Sequence, residues 1–421
     1  MRRTVLAVLA GLLGLVGLLL LTPAANAAGE TVQGRLRNGT AGVAGVTIAV
    51  TGQDGAPVGE GKSGEDGTFS VPVPGPGSYT VSLKTDTLPD GVDLSSGVKS
   101  TVPLIVNAGQ QRNVLFPLGA GRKKATQSDL QRTVQLAVEG LNFGLIIALG
   151  AVGLSLIYGT TGLVNFAHGE LITVGGLLAY LFNATMGLPF IVAGLLAVLL
   201  AAALGGVQDR LLWRPLRGRG TGLIAMLVVT IGLALFLRGL YLYLFGGSSR
   251  PYDSYRGQVA KDYGLFSLTT KDIASIVICI VVLLVFAFLL LRTRIGKATR
   301  AVADNPALAA SSGIDVERVI SIVWISGAGL AGLAGVMLGL SQQVSYQMGF
   351  QILLVVFASV TLGGLGTAFG ALLGSIVVGV FTQVSTLVVP PELKNAGALV
   401  ILIVILLVRP QGILGRRERV G

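Results

Sequence analysis

The chain has 421 residues, 52% of them hydrophobic and only 12% charged, where a soluble protein averages about 25% charged residues. That balance excludes a solvated globular enzyme along most of the length and describes a polytopic α-helical membrane protein. The formal net charge is +11, but the basic residues occupy short loops between apolar runs, which the positive-inside rule explains without any nucleic acid.

Residues 1–28 read as a signal peptide or signal anchor. Arg2 and Arg3 precede an apolar run from Val5 to Leu21, and Ala25-Asn26-Ala27 is a small-x-small cleavage site. The domain after it is therefore expected outside the cytoplasm. Residues 29–118 change character: the alternating runs Thr31 to Leu36, Val46 to Val50, Thr68 to Val73, Ser78 to Leu83 and Arg112 to Phe116 are bounded by Gly, Pro, Asn and Asp. This spacing predicts a small antiparallel β-sandwich. Within it, Ala56 to Ser63 (APVGEGKS) fits a relaxed Walker A pattern. A phosphate loop needs a helix starting after it; Gly64-Glu65-Asp66-Gly67 is a turn instead, so a hairpin is expected.

A linker at 119–132 leads into the membrane domain at 133–421. Candidate spans lie near 134–158, 168–184, 188–209, 221–246, 272–292, 318–340, 351–364, 367–389 and 395–409, a count of about 8–10 because several are short or interrupted by glycine. With nine crossings and the N-terminal domain outside, the basic stretches Arg210 to Arg219, Arg292 to Arg318 and Arg409 to Arg419 all fall in the cytoplasm. The 61 glycines suit closely packed and broken helices. The single cysteine, Cys279, excludes an intrachain disulfide and a cysteine-ligated metal cluster.

Two segments carry the functional reading. Asn165-Phe166-Ala167-His168-Gly169-Glu170 is a polar island between apolar runs and holds the only histidine. Ionisable groups at membrane depth are costly and are kept for a path, a partner or a bend. The segment has three readings: a lining of the substrate path with His168 or Glu170 gating, a polar helix break with Asn165 satisfying freed backbone groups, or a short turn at the cytoplasmic surface with Asn165 capping the next helix. The inferred topology favours the surface turn. Arg238, in the outer part of its span, is expected to snorkel to the outer interface. The second segment is the loop at 292–318, whose alanine-rich stretches predict short helices, with Asn305-Pro306 starting the second and Gly313 ending it. No nucleophile elbow, metal-ligand set or paired carboxylates occur, so no catalytic residue, metal or cofactor is expected.

The run Gly144 to Tyr158, continuing through Gly159 to Glu170, resembles the branched-chain amino acid ABC-importer permease family. The likeness extends through Arg214-Pro215-Leu216-Arg217, Thr230-Ile231-Gly232, the 292–318 loop, Leu362-Gly363-Gly364-Leu365-Gly366 and the tail from Arg409 to Gly415. The β-domain resembles carboxypeptidase regulatory-like, prealbumin-type sandwiches through its turn glycines and core aromatics. The permease resemblance implies an ABC importer permease fold in the plasma membrane lipid. It also implies two cytoplasmic ABC ATPases, a homologous second permease or a second copy, and an extracytoplasmic substrate-binding protein. It makes the loop, with Gly296, Arg300, Ala301, Asp304, Ala309 and Gly313, the ATPase-coupling segment. Asn165, Phe166, His168, Gly169 and Glu170 become a family signature with possible gating, and Gly363, Gly364 and Gly366 a helix break. The implied function is ATP-driven uptake of branched-chain or other apolar amino acids. Urea or short-chain amides are the alternative, because permeases for them carry nearly the same hexapeptide. A membrane-anchored surface or receptor protein is a third reading, one that leaves the loop unexplained.

Overall fold

The computed structural model describes residues 30–38, 41–94, 100–106, 111–118, 128–252, 260–390 and scattered positions between 393 and 414. The expected signal segment, most of the linker and most of the last span lie outside the described residues. The chain divides into a β unit and a helical unit.

In the β unit, polar and apolar residues alternate and every second side chain turns inward, as a pleated strand requires. The strands are β1 Thr31–Arg35, β2 Arg37–Asn38, β3 Ala41–Gly42, β4 Thr47–Gly52, β5 Pro57–Lys62, β6 Thr68–Pro72, β7 Gly77–Leu83, β8 Thr101–Val106, β9 Gln111–Val114 and β10 Pro117–Leu118. They form sheets ordered β6-β1-β9, β5-β4-β7-β8 and β10-β2-β3. Val32, Ile48, Phe69, Val71, Val81 and Phe116 belong to one shared hydrophobic cluster. Most pairs are antiparallel, as the spacing predicts, but β1 with β9 and β2 with β10 are parallel. The reason is connectivity: β9 follows β8 of the other sheet, so it reaches β1 by crossing over and not through a hairpin.

The Walker-like segment is strand β5, paired antiparallel to β4. A Cβ on Gly61 would lie 2.8 Å from Val71 Cγ2, so that glycine leaves room for core packing. The turn after it closes through Gly67, at φ +79°. Its carboxylate, Asp66, accepts from Thr68 N–H at 3.0 Å and Thr68 Oγ1 at 2.7 Å. These bonds, the side-chain one foremost, hold the Asp66 pKa below its ordinary 3.8. A lowered folded pKa contributes stability above the unfolded value and loses it as pH falls through the folded one. An NMR titration of the Asp66 carboxyl carbon is expected to give a midpoint below 3.8; a midpoint at or above that value would mean the Thr68 bonds do not persist in solution.

The helical unit contains α1 Asp129–Thr161, α2 His168–Tyr180, α3 Phe190–Gln208, α4 Arg214–Gly218, α5 Leu223–Phe245, α6 Thr270–Arg292, α7 Arg294–Asp304, α8 Pro306–Ser311, α9 Val316–Gln342, α10 Met348–Gly363 and α11 Ala368–Val384. A π-helical turn at Leu181–Thr185 extends α2, and another at Asp209–Trp213 joins α3 to α4. Among the described residues, six helices are long and apolar enough to cross a membrane. The expected spans at 168–184 and 351–364 correspond to the shorter α2 and α10.

Glycine decides how the centre packs. A Cβ on Gly153 would lie 2.6 Å from the Gly327 carbonyl, and one on Gly335 would overlap the Ile172 carbonyl, so α1, α2 and α9 meet backbone to backbone. Accordingly 94% of the apolar window of α1 and 72% of that of α9 is buried, against 22% for α3, 22% for α5 and 17% for α6. The first two helices form the middle of the unit and the last three present most of their surface outward. α5 contributes one narrow inward stripe: Met226, Thr230, Ala234, Leu237 and Tyr241.

Candidate functional site

The hexapeptide lies inside the bundle. His168 and Asn165 are fully buried and Glu170 is 1% exposed, which corrects the surface-turn reading. The chain itself explains the depth. A carbonyl only accepts, so the His168 Nε2–H donates to the Gly150 carbonyl at 2.9 Å. Gly150 lies about three helical turns before the end of α1. The non-helical stretch after Thr161 therefore climbs back along α1 before α2 begins. Irregular backbone at such depth must be satisfied by protein groups. Asn165 Oδ1 accepts from Ala167 N–H at 3.0 Å and Thr230 Oγ1 from Phe166 N–H at 3.2 Å. Asn165 thus makes a local turn and not the expected helix cap, since the capping position of α2 is Ala167. The Phe166 ring packs on Phe357, with centroids 5.1 Å apart.

Glu170, in the first turn of α2, pairs with Arg238 of α5: its Oε1 accepts from Nε at 3.2 Å and from a terminal nitrogen at 3.1 Å. The Arg238 carbon Cζ sits 3.5 Å from the Phe350 ring centroid, a cation–π contact. Tyr241 Oη donates to the Glu170 carbonyl at 3.3 Å. Arg238 therefore turns inward to a carboxylate 68 positions earlier, which corrects the snorkelling expectation. A buried carboxylate draws the nearest cation inward when the alternative is an uncompensated charge. Among the described residues, Glu170 Oε2, His168 Nδ1 and Asn165 Nδ2 have no hydrogen-bond partner.

Two helices start at this point. A Cβ on Gly169 would lie 3.0 Å from the Gly349 carbonyl, and Gly349 N–H donates to Thr173 Oγ1 at 3.1 Å. From there α10 runs to Gly363, followed by Gly364 at φ 112° and Gly366 at φ 80°. This interruption packs beside Gly159, near the end of α1. The last carbonyls of α10 are met by the tail: Ile413 N–H donates to Leu362 O at 2.7 Å and Leu414 N–H to Gly363 O at 2.9 Å.

The loop at 292–318 folds as the helix pair α7–α8. Thr293 Oγ1 accepts from Gly296 N–H, and Gly296 packs so closely on the carbonyls of Leu289 and Leu290 that only glycine fits. Asn305 caps α8 through Leu308 N–H at 2.9 Å, and Gly313 leaves it at φ +82°. Thr299, Val302 and Ala309 are buried, Ala301 is half-buried, and Arg300 and Asp304 are exposed. Leu308 is 65% exposed, an apolar side chain on the outer face.

A third cluster escapes sequence reasoning. Arg217 bridges Asp209 at 2.8 Å and Glu317 at 2.9 Å, Arg214 reaches Glu317 at 3.4 Å, and Ser321 Oγ donates to Asp209 Oδ2 at 2.6 Å. Asp209 is fully buried. Below it Trp213 stacks on Trp324 with centroids 5.5 Å apart. The cluster fastens the end of α3 to the start of α9, the helix that follows the α7–α8 pair. The only hint in the sequence is Asp209 closing an apolar run.

Broken helices, a buried ion pair and glycine-mediated packing thus sit in a bundle with six described helices long and apolar enough to cross a membrane. The profile described as branched-chain amino acid transport system, permease component, matches residues 136–408, the span of the helical unit. The LivH permease protein of the high-affinity branched-chain amino acid transport system of Salmonella typhimurium is 32% identical over 68% of this chain and 96% of its own length. BraD, the corresponding permease of Pseudomonas aeruginosa, is 31% identical over 69% of this chain and 98% of its length. A probable LivH of Methanocaldococcus jannaschii is 30% identical over 67% and 92%. The chain belongs to the branched-chain amino acid transport permease family, and it is a transport component with no catalytic role.

Proposed function

We propose that this chain is the translocating subunit of an ATP-driven importer for branched-chain or other apolar amino acids. Its substrate would be handed over by an extracytoplasmic binding protein, with two cytoplasmic ATPases and a second permease, homologous or identical, completing the complex. The observation that carries this reading is the alignment of the whole helical unit with permeases named for that transport. In the orientation we favour, the β unit is outside and the α7–α8 end is cytoplasmic. Supporting it, Arg214 and Arg217 sit where the end of α3 meets the start of α9, and Arg292, Arg294, Lys297 and Arg300 lie at the end of α6 and along α7, basic ends that the positive-inside rule assigns to the cytoplasm. Alternating access would then proceed by rocking of packed bodies about the broken helices. Reconstitution with the ATPases and the binding protein is expected to give ATP-dependent uptake of labelled leucine; uptake of urea in its place would move the substrate to the amide reading.

The α7–α8 pair would dock in the ATPase. Ala309 is 4% exposed and Gly313 has positive φ, so bulky residues there disturb the pair itself. Leu308→Glu alters only the outer face. It is expected to lower ATPase copurification about tenfold, the weight of a modest interface hot spot, with normal membrane insertion. Undiminished copurification would count against docking through this helix.

A further inference from the structure

We propose that the Glu170–Arg238 pair is the recognition site for the charged end of a zwitterionic α-amino acid. The solute's carboxylate takes Arg238, its ammonium takes Glu170, and the internal ion pair exchanges for two pairs with substrate. This rests on the transport reading and names the chemistry at its centre. The pair lies about three turns in from the end of α1, level with the His168–Gly150 bond. Arg238 offers a planar fork that matches a carboxylate, and the Phe350 ring beneath holds that plane. Glu170 uses only Oε1; Oε2, bonded to the same carbon and in a side chain 1% exposed, has no partner among the described residues and can accept an ammonium proton.

The surroundings suit the exchange. The first turns of α2 and α10 touch at Gly169 and Gly349. Their N-terminal dipoles favour negative charge at this place, as discontinuous helices do for anionic groups in transporters. α5 is held by one narrow stripe, and its described hydrogen bonds to other elements, from Thr230, Arg238 and Tyr241, all end on Phe166 or Glu170, with the Arg238 guanidinium also on the Phe350 ring. It can therefore part from α2 without breaking a broad apolar interface. A neutral solute such as urea has no charge to trade for the pair, so this chemistry selects an amino acid over an amide.

The test measures binding of radiolabelled L-leucine to the purified permease–ATPase complex without the binding protein. Competitors are unlabelled leucine, 4-methylpentanoate, which lacks the amine, and 3-methylbutylamine, which lacks the carboxylate. The unmodified complex is expected to prefer leucine over either half-molecule by about tenfold to a hundredfold, the share of one charge-assisted hydrogen bond. In Glu170→Gln the preference over 4-methylpentanoate collapses while that over the amine persists; Arg238→Gln does the converse. The doubly exchanged variant Glu170→Arg, Arg238→Glu keeps an ion pair with its charges transposed, and it is expected not to regain leucine selectivity. Unchanged selectivity in both single variants, or full recovery in the exchanged one, overturns the site and reduces the pair to a structural clasp. Leucine uptake in the reconstituted system without leucine binding here overturns it too, whereas absence of uptake altogether overturns the importer reading.

Discussion

Gly335→Val is expected to prevent assembly of the helical bundle. A Cβ at this position overlaps the Ile172 carbonyl and lies 2.9 Å from Gly176 N, so the neighbouring atoms are backbone and no side chain can swing aside. Overpacking a core costs about 1–3 kcal/mol when side chains absorb it. Here α2 and α9 must separate, which opens gaps along two helices that approach through Gly175, Gly176 and Gly332 as well. Total stability is about 5–15 kcal/mol, so the expected result is aggregation on detergent extraction and loss of a monodisperse peak. Gly232→Val on α5 is the control: a Cβ there meets nothing within 4 Å, and the variant is expected to extract normally. Equal behaviour of the two would show that helix proximity does not govern assembly.

Arg217→Ala is expected to cost about 3–5 kcal/mol, the penalty for leaving one member of a buried ion pair uncompensated. Asp209 is fully buried and the Arg217 side chain is 14% exposed, so solvent compensates little. Glu317, at 37% side-chain exposure, carries less, and Glu317→Gln is expected to cost no more than about 1 kcal/mol. Thermal melting in detergent separates the two. A double-mutant cycle with Asp209→Asn is expected to recover part of the loss, because removing both charges leaves nothing stranded. On the transport reading, Arg217→Ala also slackens the joint between α3 and α9, and ATP hydrolysis is expected to persist while uptake falls.

What the sequence discloses depends on whether the cause is local. Composition and hydropathy are local, so the two-part organisation and the long helices can be read directly. The Asn305 and Gly313 signals around α8 also depend on a few neighbouring residues. The hexapeptide stands out for the same reason, since a lone polar island needs no partner to be noticed. Its depth does not, because that depends on a hydrogen bond to Gly150 and on the non-helical stretch folding back along α1. Arg238 shows the limit most plainly. Its place along α5 can be read, but its rotation toward a carboxylate 68 residues away is a matter of packing. The Asp209–Arg217–Glu317 cluster joins residues 100 positions apart and is hidden likewise. In the β unit, Gly59 and Gly61 weaken the pattern of β5, and Pro103 that of β8, which is tolerated because β8 is an edge strand.

The retreating stretch between α1 and α2 bears on how the protein is made. Its Phe166 amide is met by Thr230 and the charge of Glu170 by Arg238, and both partners lie on α5, which is synthesised after α3 and α4. Until α5 emerges, that stretch has neither partner, and open backbone groups do not persist in lipid. α2 has 13 residues and its π turn five more, at the short end of the about 17–25 that span a bilayer. The region is therefore expected to settle at its depth only once α5 has emerged, and cross-linking of position 166 to position 230 in truncated nascent chains would check it. The residues that hold the charge at the centre would then also order its assembly.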